Sequence, residues 1–162
     1  SQINSHYKNL IVDNDFIFLL SLMIIDQTDN TDYFLYKFNI SKKDQKRIKI
    51  IDNFYKDKVN TKTFTKNKMN KVFYYEGRQA VIDILNYRMI KLKKRDQNLE
   101  ELSEVYLKKT LLPMPFTGDM LMKKYQIPEG KQLGEKLKMI EEKWVNNNFE
   151  ISDQQVDIIV ND

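Results

Sequence analysis

Lys42, Lys46, Lys49 and Lys56 recur at spacings of four, three and seven residues. At 100° per residue they fall within about 40° of one line along a helix. A row of ammonium groups can hold a polyanion by its phosphates, or can simply face water. Two glycine turns raise a related possibility. Thr117-Gly118-Asp119 and Pro128-Glu129-Gly130-Lys131 each precede a helical pattern, and a glycine turn at a helix start can cradle a phosphate. A third candidate is Asp13-Asn14-Asp15, whose two carboxylates have the spacing of a magnesium-holding pair.

Local physics weighs these differently. Asp119 already uses the positive end of its helix dipole, with Thr117 as N-cap, so an anion is unwelcome there. At the second turn Glu129 competes with an anion while Lys131 favours one, and the two effects nearly cancel. Both turns read mainly as hinges between helices. Paired magnesium carboxylates normally sit on a strand, with a third carboxylate and a glycine-rich partner nearby. Nothing upstream of Asp13 supplies either, so Asp13 or Asp15 reads as a helix cap. Like charges along the lysine row cost a few tenths of a kcal/mol each. A solvated face tolerates that cost and an anionic partner reverses it.

The elements that must position these residues are helical. The 162 residues contain only four Gly and three Pro and are 41% apolar, too few turn residues for an all-β fold and enough apolar residues for a real core. Without cysteine there are no disulfides or thiolate metal sites. The one histidine, His6, has no acidic or histidine partner at ligand spacing and reads as an ordinary exposed side chain. No apolar run reaches membrane-spanning length and no signal peptide is evident, so a cytoplasmic protein is expected.

The net charge of +4 conceals a segregation: residues 1–36 carry −4, residues 37–95 carry +13, and residues 96–162 carry −5. Twenty-three of the 27 basic residues are lysine. A lysine-rich composition accounts for the amount of charge but not for its gathering in the middle. Such a block attracts polyanions, RNA first among them. The basic residues singled out as RNA contacts are Lys42, Lys43, Lys46, Arg47, Lys49, Arg78, Lys91, Lys93, Lys94, Arg95 and Lys131.

DFIFLLSLMIID (15–26) is apolar on nearly every side, as a core helix would be. Ser41 and Asp44 form a capping-box variant at the start of the helix bearing the lysine row, with Ile48, Ile51 and Tyr55 on its inner face. Residues 57–68 are polar and read as a loop leading into a helix near 64–75. Residues 77–95 read as one long helix with Val81, Leu85, Met89 and Leu92 as its stripe. Arg88 projects near that stripe and must snorkel or pair with a carboxylate. Residues 98–109 form a further amphipathic helix. Leu133, Leu137, Ile140 and Trp144 define a packing face on the last long one, where Trp144 reads as core rather than as a stacking platform. The acidic tail after Phe149 either begins another helix or ends loosely.

Several segments, taken in order, resemble the C-terminal region of the bacterial tRNA nucleotidyltransferases (CCA-adding enzymes) and the related poly(A) polymerases. LLSLMII (19–25) resembles an apolar body helix of that family. FNISKKDQKRIKII (38–51) and EGRQAVIDIL (76–85) resemble two of its motifs. FTGDMLM (116–122), Pro128-x-Gly130, Leu133-Gly134-x-x-Leu137 and Trp144 resemble a third. Glu129 and Lys131 stand where the family usually has prolines, the turn is one residue longer, and Met120 replaces a frequent Asp.

The resemblance implies an all-α fold, an irregular bundle of about seven to eight helices without the catalytic α/β head. Residues 1–150 would form a helical RNA-binding body and 151–162 the start of a tail or a disordered end. It further implies tRNA or other RNA as partner, together with the catalytic head of the parent protein and no membrane. No cofactor is expected in this chain; magnesium, CTP and ATP would belong to the head. The other reading of the residues is a helical protein-interaction module.

Overall fold

The computed structural model describes residues 5–26, 28, 30–56 and 63–161. The front of the polar segment 57–68, residues 57–62, therefore lies outside the described residues. Among the described residues a short 3-10 turn (Ser5–Tyr7) leads into ten α-helices and no strand. They are α1 (Lys8–Val12), α2 (Phe16–Ile24), α3 (Asn30–Lys37), α4 (Lys42–Lys56), α5 (Lys66–Glu76), α6 (Arg78–Lys91), α7 (Gln97–Lys108), α8 (Gly118–Tyr125), α9 (Lys131–Asn146) and α10 (Asp153–Asn161). The fold is all-α as expected. The count exceeds the expected seven to eight because α1 and α3 are short and carry no clear apolar stripe in sequence.

The buried centre is α6, not the apolar run at 15–26. Nine of the fourteen residues of α6 are buried, because α4, α5, α7 and α1 all pack around it. Such a helix must be apolar on most sides. By contrast α2 buries only Phe18, Leu20 and Ser21, and it leaves Phe16 71% and Met23 82% exposed. The long helix expected over 77–95 also stops early. Leu92 leaves helical geometry at ψ 146° while its N–H still bonds to the carbonyls of Arg88 and Met89.

Gly77 explains how α5 and α6 meet. It is at once the C-cap of α5 and the N-cap of α6, at φ 89°. Side chains avoid that backbone region, and only glycine enters it freely. A one-residue joint therefore turns the chain and fixes α5 against α6.

Two hydrophobic clusters share the chain. The larger runs from Tyr7 to Tyr106 and contains the fully buried Phe18, Ile48, Met69, Ile84 and Leu85. The smaller gathers Leu121, Ile127, Leu133, Ile140 and Val156 from α8, α9, α10 and their connections. Of the predicted stripe, Leu133, Ile140 and Trp144 are buried and Leu137 is half-buried. Helix α9 joins the clusters by packing on α5: Trp144 meets Tyr74 edge-to-face at 5.5 Å and Phe149 at 5.0 Å. Such aromatic pairs add about 0.5–1.5 kcal/mol each beyond the area they bury. A polar chain reinforces the joint. Tyr106 donates to Asn70 Oδ1 at 2.7 Å, and Asn70 Nδ2 donates to Asn148 at 2.9 Å. Trp144 is thus core, as expected, and no stacking platform.

Candidate nucleic-acid interface

The lysine row is set by how α4 starts and what it buries. Ser41 Oγ donates to Asp44 at 2.6 Å, and the Asp44 N–H donates back to Ser41 Oγ at 3.2 Å, closing the expected box. Ile48, Ile51 and Tyr55 are buried at 0%, 1% and 4% exposure, which turns the opposite face of α4 outward. Lys42, Lys46 and Lys49 then line one shallow groove of about 510 Å³, together with Gln45, Ile50, Asn53 and Glu76. Three ammonium groups there meet two carboxylates, Glu76 in the groove and Asp32 at the Lys49 side chain. Lys56, the fourth of the row, is drawn aside to Asp52 at 3.2 Å and Asp32 at 3.8 Å.

The row is partly paired within the protein. Lys46 lies 3.1 Å from Glu76, and Lys49 lies 2.9 Å from Asp32. The Lys46 and Lys49 side chains are 70% and 47% exposed, and exposed pairs of this kind contribute only about 0–1 kcal/mol. An arriving phosphate can replace either carboxylate at little cost.

Arg47 lines the adjoining cleft with Lys43 and Lys46 and is held by two carboxylates. Its Nε and Nη2 donate to the two oxygens of Asp83 at 2.6 and 3.0 Å, and its Nη1 donates to Asp15 at 2.6 Å. The Asp83 side chain is 0% exposed and the Arg47 side chain 21%. Gln79 donates to the same Asp83 at 2.9 Å. Bonding to Asp83 raises the basicity of Arg47 against the opposing effect of burial, and bonding to Asp15 adds to it. The guanidinium ties α2, α4 and α6 together. Of the Asp13–Asp15 pair, Asp15 is likewise committed, since it accepts from the Phe18 N–H at 3.0 Å as N-cap of α2. Among the described residues no group of three or more His, Cys, Asp or Glu side chains could hold a metal ion.

The remaining basic residues lie elsewhere. Helix α6, about 20 Å long at 1.5 Å per residue, separates Arg78 at its start from Lys91 at its end. Arg78 donates to the Lys109 carbonyl at 2.8 Å, and Lys91 to the Leu22 carbonyl at 3.1 Å. Arg95 forks onto Glu100 at 2.7–3.1 Å, which raises its basicity. Lys93 and Lys94 are exposed and form no ion pair among the described residues. Lys131, 3.7 Å from Glu135, belongs to the smaller cluster's end of the molecule. The structure therefore brings Lys42, Lys46 and Lys49 together, sets Lys43 and Arg47 beside them in a cleft that Lys46 also lines, and leaves Arg78, the basic run 91–95 and Lys131 in other places. Arg88 finds no carboxylate among the described residues; its guanidinium lies 5.9 Å from the Phe64 ring instead.

A family model for tRNA nucleotidyltransferase domain 2 matches residues 12–157. The chain belongs to this family. The match is to a C-terminal region of tRNA nucleotidyltransferases and poly(A) polymerases, and it takes in every helix from α2 to α9. No curated protein and no solved structure matches the chain. Within this tRNA nucleotidyltransferase domain 2, EGRQAVIDIL contributes the one-residue joint at Gly77 and the buried Asp83, while SKKDQKRIKII contributes the groove lysines and the Arg47 that answers Asp83. Sequence reasoning missed the exposed rings Tyr33, Tyr36 and Phe38 on and just after α3. The cluster DYFLYKF (32–38) was the available signal. Among the described residues no helix is long and apolar enough to cross a membrane.

Proposed function

We propose that this domain binds tRNA through its phosphate backbone and positions it for 3′-end nucleotide addition by a catalytic head elsewhere in the parent protein. The observation that supports this reading is the gathering of Lys42, Lys46 and Lys49 in one groove, within a domain of a tRNA nucleotidyltransferase family. Lysines act as flexible point charges and do not read bases. Binding is therefore independent of sequence and driven by counterion release. Magnesium, CTP and ATP would be handled by the head, and the complex would work in the cytoplasm, where tRNA is completed.

Fluorescence anisotropy with labelled tRNA tests this at low salt. The wild-type domain should bind, and K42Q/K46Q/K49Q should bind far more weakly while keeping its helical circular dichroism. Equal affinity for the two proteins would remove the groove from the account.

A second reading, a protein-interaction module, has its own support in the apolar side of α1 and α2. Val12, Phe16 and Met23 there are 82%, 71% and 82% exposed. A protein partner retained by wild type and lost by Phe16→Asp, with no tRNA bound at moderate salt, would favour it.

A further inference from the structure

The end of α3 and the turn into α4 carry three rings that the core does not use. Tyr33, Tyr36 and Phe38 are 64%, 88% and 56% exposed. Thr31 and Leu35 are the residues by which α3 is buried. Phe38 is held in place by the half-buried Phe34, ring centres 4.4 Å apart. Lys37 Nζ lies 5.7 Å from the centre of the Tyr33 ring and 5.8 Å from that of Phe38. A cation thus stands between two rings at cation–π distances.

These rings sit beside the lysine row. Asp32 on α3 reaches Lys49 on α4 at 2.9 Å, and only residues 38–41 join the two helices. Tyr36 is four residues after Asp32, one turn further on the same side of α3. It therefore follows the edge of α4 toward Lys42. Lys37 and Lys42 form no ion pair among the described residues.

Single exposed apolar side chains are ordinary. Three aromatic rings within six residues, with a lysine between them and a lysine groove alongside, are a different arrangement. Protein interfaces are depleted in lysine. Single-stranded nucleic acid supplies what this surface lacks: flat faces for the rings and phosphates for the ammonium groups. We propose that Tyr33, Tyr36 and Phe38 form a stacking platform for one or two unpaired nucleotides, whose phosphates lie on Lys37, Lys42 and Lys49. The proposal rests on the RNA-binding reading above and adds which part of the RNA this face takes.

Two RNAs of identical stem test it: a blunt hairpin, and the same hairpin with a four-nucleotide single-stranded 3′ tail carrying 2-aminopurine. Wild type should bind the tailed RNA more tightly, and the 2-aminopurine emission should change on binding. Y33A/Y36A should lose on the order of 10-fold or more in affinity for the tailed RNA, the usual effect of removing stacking rings. It should also lose the emission change and leave blunt-hairpin binding untouched. Y33F/Y36F, which keeps the rings, should behave as wild type. Equal wild-type affinity for the two RNAs overturns the platform and leaves the phosphate groove standing, as does an equal loss on both in Y33A/Y36A. Unchanged RNA binding by Y33A/Y36A assigns the rings to a protein contact and overturns it too. Failure of wild type to bind either RNA overturns the platform together with the tRNA reading.

Discussion

Replacing Arg47 by methionine strands the Asp83 carboxylate, and the cost can be worked from the geometry. Asp83 is 0% exposed on its side chain and takes two of its three side-chain hydrogen bonds from Arg47, at 2.6 and 3.0 Å. The variant leaves it only the Gln79 bond at 2.9 Å. Breaking a buried ion pair from one side costs about 3–5 kcal/mol. The Arg47 side chain is 21% exposed, so some water reaches the pair and a loss of about 3 kcal/mol is expected. For a chain of this size that lowers Tm by about 6–12 °C.

Urea unfolding followed by circular dichroism checks this. R47M/D83N, which removes the stranded charge, should recover more than half of the loss. A deficit under about 1 kcal/mol, or no recovery in R47M/D83N, would show that Arg47 is not what holds Asp83.

Three further changes probe other parts of the frame. Gly130→Ala should cost about 1–3 kcal/mol in urea unfolding: φ is 146° and a Cβ would meet nothing within 4 Å, so the penalty is backbone strain alone. Gly134→Ala, inside α9 with the same open space, should instead stabilise by about 0.5–1 kcal/mol. Burial alone would raise the Asp15 carboxyl, but the Arg47 guanidinium and the Phe18 N–H hold it below its ordinary 3.8. A depressed carboxylate contributes stability above its ordinary value and loses it as pH falls through the folded one. Asp15→Asn keeps the cap and drops the charge, so wild type should be the more stable at pH 6 and the two should converge as pH falls below 3.8.

What could be read from the sequence was local. Ser41 with Asp44, Thr117 as a cap, and the Leu133–Trp144 stripe each depend on residues a few positions apart, and each stands in the structure as read. The lysine row was legible for the same reason, as helical spacing places Lys42, Lys46 and Lys49 on one side of α4. The partners were not. Asp83 lies 36 residues from Arg47 and Asp15 lies 32, while Glu76 reaches Lys46 from another helix. A wheel drawn for one helix shows its charges but not the neighbours that neutralise them. That is why the partners of Arg47, Arg78 and Arg95 within the protein could not be foreseen. The apolar run at 15–26 misled in the opposite way. Apolar residues on all sides suggest full burial, but α2 lies at the edge of the bundle with Phe16 and Met23 outward.

The most direct test of the phosphate groove is the salt dependence of tRNA binding by the isolated domain. Log K should fall linearly with log salt concentration. K42Q/K46Q/K49Q should flatten that slope by about 2 to 3, at roughly 0.7–0.9 for each phosphate contact removed. An unchanged slope, or no tRNA bound by wild type even at about 50 mM salt, would contradict the account.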